Sequence, residues 1–311
     1  MIEVLKGTDF KFLGVQKTGK VRDIYIQPDR LVLITTDRHS SFDRIIAHIP
    51  WKGQVLNQIS AWWFEQTKDI VPNHVLAVPD PNVTVGRKMK MVPVEAVMRG
   101  YMTGVTDTSI WMRYSAGERT FGGMTLPDGV KKNQKLPTPI FDPTTKEEGH
   151  DRTITPEQMI EEGLITKELF DNVKETATKL FLRGQEIAAE RGLILVDTKY
   201  EFGTDENGAL VLIDEIHTPD SSRFWQIEGY DDAMAKGEQP KSFDKEFLRL
   251  WFKDHCDPYK DATLPDAPPE LVEELSRRYI QMYEQVTGEK FVPGETPVIP
   301  RMERNLKPYA I

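Results

Sequence analysis

Apolar positions change their period along the chain. Residues 10–15, 21–26 and 31–35 are short apolar-rich runs, the pattern of strands. Lys17-Thr18-Gly19-Lys20 and Gln27-Pro28-Asp29-Arg30 lie between them as turns, and connections that short predict an antiparallel meander. Over residues 55–66, Leu56, Ile59, Trp63 and Phe64 recur at helical spacing, with Trp62 beside them; the amphipathic pattern assigns the two tryptophans to core packing rather than to a stacking platform. Residues 87–98 predict a strand pair or one long bent strand, interrupted at Pro93. Residues 101–151 are rich in Gly, Pro and Thr and read as a long loop, a feature that in a compact domain usually carries function. Thr155-Pro156-Glu157-Gln158 has the residues of a helix N-terminus: a Thr cap, Pro in the first turn and Gln at the capping-box position. Residues 167–190 predict a long helix through Leu169, Val173, Ala177, Leu180, Phe181, Ile187 and Ala188, stopped at Arg191-Gly192. Two strands, 193–202 and 209–216, follow, then helices over 244–252 and 269–287. From Pro293 the chain reads as an extended tail, either hugging the surface or disordered.

The pair of strands around 193–216 concentrates the polar chemistry. Strand residues alternate faces, so Asp197, Lys199 and Glu201 share one face while Thr198, Tyr200 and Phe202 share the other. Asn207-Gly208 is a strong two-residue turn signal. With that turn, Glu206 pairs with Ala209 and Glu201 faces Asp214, their Cβ atoms about 5 Å apart. Like charges that close repel, and a divalent cation between them reverses the sign. An oxygen-only set suits Mg²⁺, which takes one or two carboxylates plus substrate phosphates. If residues 205–208 all belong to the turn, Lys199 faces Asp214 instead, an ordinary cross-strand ion pair. Both registers fit the sequence. Beyond the second strand, Asp220, Ser221, Ser222 and Arg223 gather hydroxyls and a forked guanidinium, which suit a phosphate or carboxylate; the same residues also read as a helix N-cap with Arg223 exposed.

Charge changes the picture modestly. The 311 residues carry a formal net charge of −9, which argues against nucleic acid as the main partner and leaves room for a local basic pocket for a small phosphate. The single cysteine, Cys256, excludes a disulfide within the chain and suits a reducing compartment; beside His255 it reads as a small, partly buried residue rather than a catalytic thiol. No apolar run has the length of a signal peptide or a membrane span, so a soluble cytoplasmic protein is expected.

Leu195-Val196-Asp197-Thr198-Lys199-Tyr200-Glu201-Phe202-Gly203 closely resembles a motif of the phosphoribosylaminoimidazole-succinocarboxamide synthase (SAICAR synthetase) family. So does Asp214-Glu215 followed by Thr218-Pro219-Asp220-Ser221-Ser222-Arg223-Phe224-Trp225. Gly19-Lys20-Val21-Arg22-Asp23-Ile24-Tyr25 looks like the family's phosphate-covering loop, and Pro93-Val94-Glu95-Ala96-Val97-Met98-Arg99-Gly100-Tyr101 like its substrate-binding strand. Thr36-Asp37-Arg38-His39-Ser40-Ser41-Phe42-Asp43 has the family look as well, and the resemblance runs from about Gly14 to Tyr283.

The resemblance implies a two-lobed α+β fold related to ATP-grasp enzymes, with a β-rich N-terminal lobe over 1–95, an α/β C-terminal lobe over 96–292, a tail over 293–311 and ATP in the cleft. It implies a ligase in purine biosynthesis that phosphorylates a ribotide carboxylate with ATP and Mg²⁺ and then joins L-aspartate to it. Its partners would be those small molecules, with no nucleic acid and no membrane, and it would act as a monomer or homodimer. Gly19, Lys20 and Arg22 would meet the ATP phosphates, residues 89–91 with Met89 and Met91 would present a backbone edge to adenine, and Lys146, His150 and Asp151 would lie near the nucleotide. Glu201 and Asp214 would hold the metal. Asp197, Lys199 and Arg223 would be catalytic and, with Ser222, line the ribotide site; Arg99 would reach one of the ribotide's acidic groups and Glu95, four residues earlier, would hold Arg99. One departure stands out. Many relatives of that family carry Gly-Ser after Arg-Gly-Tyr, whereas here Val105 follows Gly104, so Ser109, or alternatively Thr106, would take the serine's place; Ser109 is favoured because a helical pattern resumes after it. A small-molecule phosphotransferase or a non-catalytic nucleotide-binding module could use the same residues without aspartate.

Overall fold

The computed structural model describes residues 2–106, 108–145, 154–243 and 246–311. Two compact units emerge: Met1–Glu65 with His74–Lys88 and Phe243–Ile311, and Gln66–Asn73 with Met89–Ser242. The expected division at 95 and 292 differs from this, because the long strand after Lys88 lies wholly in the second unit and the C-terminal helices return to the first.

The first unit opens with the expected meander, β1 (Val15–Thr18), β2 (Arg22–Ile26) and β3 (Arg30–Thr35), each antiparallel to the next. Residues 10–14 are not a strand. Phe10 and Leu13, three apart, both turn into the core through a 3₁₀ turn, Lys11–Leu13, that ends at Gly14. A short hairpin, β4 (Arg38–Ser41) and β5 (Arg44–His48), precedes α1 (Lys52–Thr67). β6 (Val75–Asp80) and β7 (Val83–Arg87) complete a five-stranded sheet of order β1-β2-β3-β7-β6. Trp63 is fully buried on α1 with Trp62 edge-on to it, as core packing requires.

The second unit is built on one long strand, β8 (Lys90–Tyr101). Pro93 does not interrupt it: it falls where the ladder to its neighbour is irregular, a place that needs no amide donor. The expected long loop after β8 holds α2 (Ile110–Ser115), β9 (Thr120–Phe121), β10 (Met124–Thr125), β11 (Lys135–Phe141) and β12 (Thr144–Thr145). These pieces close their own cluster around Met102, Ile110, Tyr114, Phe121, Leu126, Leu136 and Ile140, too widely spaced in sequence to show a period. α3 (Pro156–Glu161) starts with the expected capping box at Thr155 and Gln158. α4 (Lys167–Glu190) has the expected bounds. β13 (Leu193–Thr204), β14 (Leu210–Ile213) and β15 (Ser222–Gln226) follow, then α5 (Tyr230–Lys236). The sheet runs β11-β8-β13-β14, with β12 on β8 and β15 on β13.

The chain ends in the first unit with α6 (Glu246–His255), α7 (Pro269–Thr287) and α8 (Val298–Leu306). The tail is therefore not extended. Its prolines mislead because Pro297 caps α8 and Pro300 lies in the first turn, where a missing N–H costs nothing. Val298, Met302 and Leu306 recur every four residues and join the core of Leu5, Phe10, Tyr25 and Val85. Buried Arg301 donates to both oxygens of Asp80 at 2.9 Å and to Asn82 Oδ1 at 2.7 Å.

Candidate active site

β8 and β13 lie side by side in the middle of the second unit's sheet. Their register places Arg99 opposite Asp197, Val97 opposite Lys199 and Glu95 opposite Glu201. Alternation puts Glu95, Arg99, Asp197, Lys199 and Glu201 on one face. β15 adds Arg223, opposite Asp197 on the other flank, with Nη1 3.2 Å from Asp197 Oδ2. Lys199 Nζ donates to Glu95 Oε1 at 2.7 Å and to Glu201 Oε1 at 2.8 Å. Burial alone would lower the lysine's pKa, but Glu201, Glu95 and Asp214 outweigh it and raise it, so Lys199 is an ammonium at neutral pH.

The hairpin register differs from both expectations. Glu201 pairs with Ile213 and Thr204 with Leu210, leaving a five-residue loop over 205–209. Asp205 is the cause: its carboxylate accepts from the amides of Asn207 and Ala209 at 2.9 and 2.8 Å, which opens the Asn-Gly turn by one residue. Asp214 is therefore not directly across from Glu201. It leaves the strand at φ 65°, although it stays close enough to contribute to the field at Lys199. The like-charged pair that the sequence implied exists, but its second member is Glu95 on the neighbouring strand, and Lys199 lies against both.

Glu95 does not hold Arg99. Four residues of strand span about 13 Å, whereas the same spacing on a helix would make neighbours. Asp142, just after β11, does the holding: Arg99 Nε donates to its Oδ2 at 2.6 Å. Arg113 donates to both oxygens of Asp142 at 3.0 Å and also pairs with Glu118. Asp142 and Arg113 of this Arg99–Asp142–Arg113 chain lie within the segment expected to be a loop. Neither Arg113 nor Asp142 carries a local signal that would have found it.

Ser222 pairs with Thr198, and its hydroxyl lies 2.7 Å from Thr198 Oγ1, so alternation turns it to the face opposite Arg223. Ser109 and Arg223 converge on Gly104: a Cβ there would lie 2.7 Å from Ser109 Oγ and 3.3 Å from Arg223 Nη1, so only glycine fits at that φ of 116°. Ser109 Oγ donates to the Thr106 carbonyl at 2.6 Å, while the Thr106 side chain is exposed. Behind the sheet, buried His217 Nε2 lies 2.5 Å from the Tyr200 hydroxyl and pins the segment after β14 to β13. Burial pushes the imidazole down to about 3, so the ring is neutral. Gly184 on α4 makes room for it, since a Cβ would lie 2.4 Å from the ring.

In the first unit, the Gly19 amide donates to the Arg22 carbonyl at 2.8 Å and closes the turn before β2. Lys20 Nζ lies 2.5 Å from Asp43 Oδ1, both side chains exposed. Arg22 opens β2 opposite Thr35. In the second unit, Met89 is half-buried and Met91 exposed. Lys90 and Met91 pair with β13, and no described strand pairs with their other edge. Lys146, His150 and Asp151 lie outside the described residues. Cys256 is half-buried and donates to the Phe252 carbonyl.

Among the described residues no group of three or more His, Cys, Asp or Glu side chains is arranged to hold a metal. Mg²⁺ that also binds substrate phosphates needs only one or two carboxylates. Glu201 and Asp214, both acting on Lys199, are oxygen donors of the right chemistry for that smaller role.

The fold and this face define a two-unit α+β protein that presents paired arginines, carboxylates and an ammonium on one sheet, the make-up of a site for an anionic ligand. The profile of the SAICAR synthetase family matches residues 15–265, and the chain belongs to that family. It is 56% identical over 284 residues to phosphoribosylaminoimidazole-succinocarboxamide synthase of Legionella pneumophila (strain Paris), covering 91% of each chain. Its structure resembles the SAICAR synthase of Saccharomyces cerevisiae complexed with SAICAR, at a TM-score of 0.79 and 33% identity over 93% of this chain and 100% of that one. It also resembles a SAICAR synthetase (type-2) in complex with ADP, at a TM-score of 0.67 and 27% identity over 90% and 100%. Among the described residues no helix is long and apolar enough to cross a membrane.

Proposed function

We infer that the chain is an ATP-dependent carbon–nitrogen ligase of purine (IMP) biosynthesis. It joins L-aspartate to the carboxylate of carboxyaminoimidazole ribotide and yields SAICAR, ADP and phosphate. The observation that carries this reading is family membership together with an intact polar face, Glu95, Arg99, Asp197, Lys199, Glu201 and Arg223, at the centre of the second unit's sheet.

The chemistry takes two steps. A ribotide carboxylate oxygen attacks the γ-phosphorus of ATP, and ADP leaves. The amine of aspartate then attacks the acyl carbon, loses a proton and expels phosphate with that same carboxylate oxygen. Phosphoryl transfer asks for positioning and charge neutralisation more than for covalent help. Arg99 spends Nε on Asp142 and a proton of Nη2 on the Thr108 carbonyl, and offers Nη1 to an acidic group of the ribotide. Ser109 and Arg223, converging at Gly104, take the ribotide phosphate, which favours Ser109 over Thr106. Asp197 orients Arg223, and Lys199 places positive charge beside the reacting carboxylate. Gly19, Lys20 and Arg22 meet the nucleotide phosphates, with Lys20 exchanging Asp43 for phosphate, and the open edge at Met89 and Met91 meets adenine. Mg²⁺, held by Glu201 and Asp214, would neutralise charge on the transferring phosphoryl oxygens. The enzyme works in the cytoplasm as a monomer or homodimer.

Aspartate dependence separates this reading from a phosphotransferase or a binding module. With ATP, ribotide and labelled aspartate, the purified protein incorporates one label per phosphate released. Phosphate release without incorporation would overturn the reading.

A further inference from the structure

The turn that meets the nucleotide phosphates in this reading is held from beneath by one buried guanidinium. Arg38, 4% exposed, donates from Nη2 to the Gly19 carbonyl at 3.0 Å and from Nε to the Lys20 carbonyl at 3.3 Å. It also donates from Nη1 to the Lys6 carbonyl at 2.9 Å and pairs with Asp23 Oδ1 at 2.8 Å. Asp23, 1% exposed, is fixed in turn by the amide and hydroxyl of Thr8 at 2.7 and 3.0 Å. The next carbonyl, that of Val21, accepts from the Thr36 amide at 2.9 Å and the Thr36 hydroxyl at 2.6 Å. Carbonyls 19, 20 and 21 are therefore all drawn inward by Arg38 and Thr36.

A trans peptide is planar, and its N–H points opposite to its C=O. Pulling the Gly19 and Lys20 carbonyls inward turns the amides of Lys20 and Val21 outward. Neither amide has a hydrogen-bond partner among the described residues. Two adjacent outward amides beside the Lys20 ammonium make an anion-binding concavity. We propose that Arg38 is the positioning residue that presets the Lys20 and Val21 amides to receive the ATP phosphates. Only a fork serves: the acceptors are three carbonyls and a carboxylate, spread in a plane that a lysine ammonium cannot span. The proposal rests on the reading that this turn meets the nucleotide.

The test pairs kinetics with amide resonances of protein labelled with ¹⁵N-lysine and ¹⁵N-valine, using a non-hydrolysable ATP analogue with Mg²⁺. In the parent the analogue moves the Lys20 and Val21 amide resonances. In Arg38→Lys those amides respond several-fold less, and KM for ATP rises about tenfold or more while KM for ribotide and for aspartate holds. Thr36→Val, which loses the hydroxyl's bond to the Val21 carbonyl and the bond it accepts from the Arg38 amide, gives a smaller rise confined to ATP and serves if Arg38→Lys does not fold. Equal amide responses and equal ATP KM in the parent and in the folded variants would overturn the role of Arg38. Lys20 and Val21 amides that ignore the analogue in the parent would remove the phosphate-turn reading itself, and the proposal with it.

Discussion

Replacing Lys199 with methionine keeps an unbranched apolar stem one atom shorter and deletes the ammonium between Glu95 and Glu201. Those glutamates are direct partners across the β8–β13 ladder, 7% and 8% exposed. With Cβ atoms about 5 Å apart and an effective dielectric of about 20, their repulsion is about 3 kcal/mol. Removing one member of a buried ion pair costs about 3–5 kcal/mol, and the one-third exposure of the lysine side chain places this case at the low end, about 3 kcal/mol. Urea unfolding at pH 8 measures it. Millimolar Mg²⁺ should recover part of it at pH 8, because two opposed carboxylates without a lysine attract a hard cation. A change under about 0.5 kcal/mol at pH 8 would refute the opposed-carboxylate geometry.

Further outcomes follow from buried pairs elsewhere. Asp142→Asn leaves the Arg99 and Arg113 guanidinia without their shared charge; we expect about 3 kcal/mol of destabilisation and a raised ribotide KM, and an unchanged KM would remove Arg99 from the ribotide site. His217 is neutral in the fold, with its pKa pushed down to about 3, so the unfolded chain takes up a proton that the native state refuses. That stability is full above about pH 6.5 and is lost as pH falls. The gap between the parent and His217→Gln should therefore narrow by about 1 kcal/mol per unit between pH 6 and 5. A gap independent of pH would contradict the buried neutral ring. Arg301→Met unpairs Asp80 and should cost about 3 kcal/mol in the first unit; a loss under about 1 kcal/mol would mean that α8 is a dispensable tail.

Elements whose evidence is local were legible in the sequence. The apolar stripe of α4, the Thr155–Gln158 capping box and the bounds of α7 all come from spacings within a few turns. The shared face of Asp197, Lys199 and Glu201 was legible too, because alternation is local. Register was not, since the carboxylate of Asp205 competes with the backbone for the turn and shifts the pairing by one. The identity of the opposing carboxylate was hidden as well, because Glu95 arrives from a strand more than a hundred residues away in sequence. Asp142, Arg113 and Arg38 act through contacts that no spacing encodes, and α8 was masked by prolines that its first turn tolerates.

The two-step ligation passes through an acyl phosphate. Ribotide labelled with ¹⁸O in its carboxylate, turned over with ATP and aspartate, should deliver one labelled oxygen to each phosphate released, and the amide product should keep the other. Phosphate free of label, with SAICAR still formed, would contradict it.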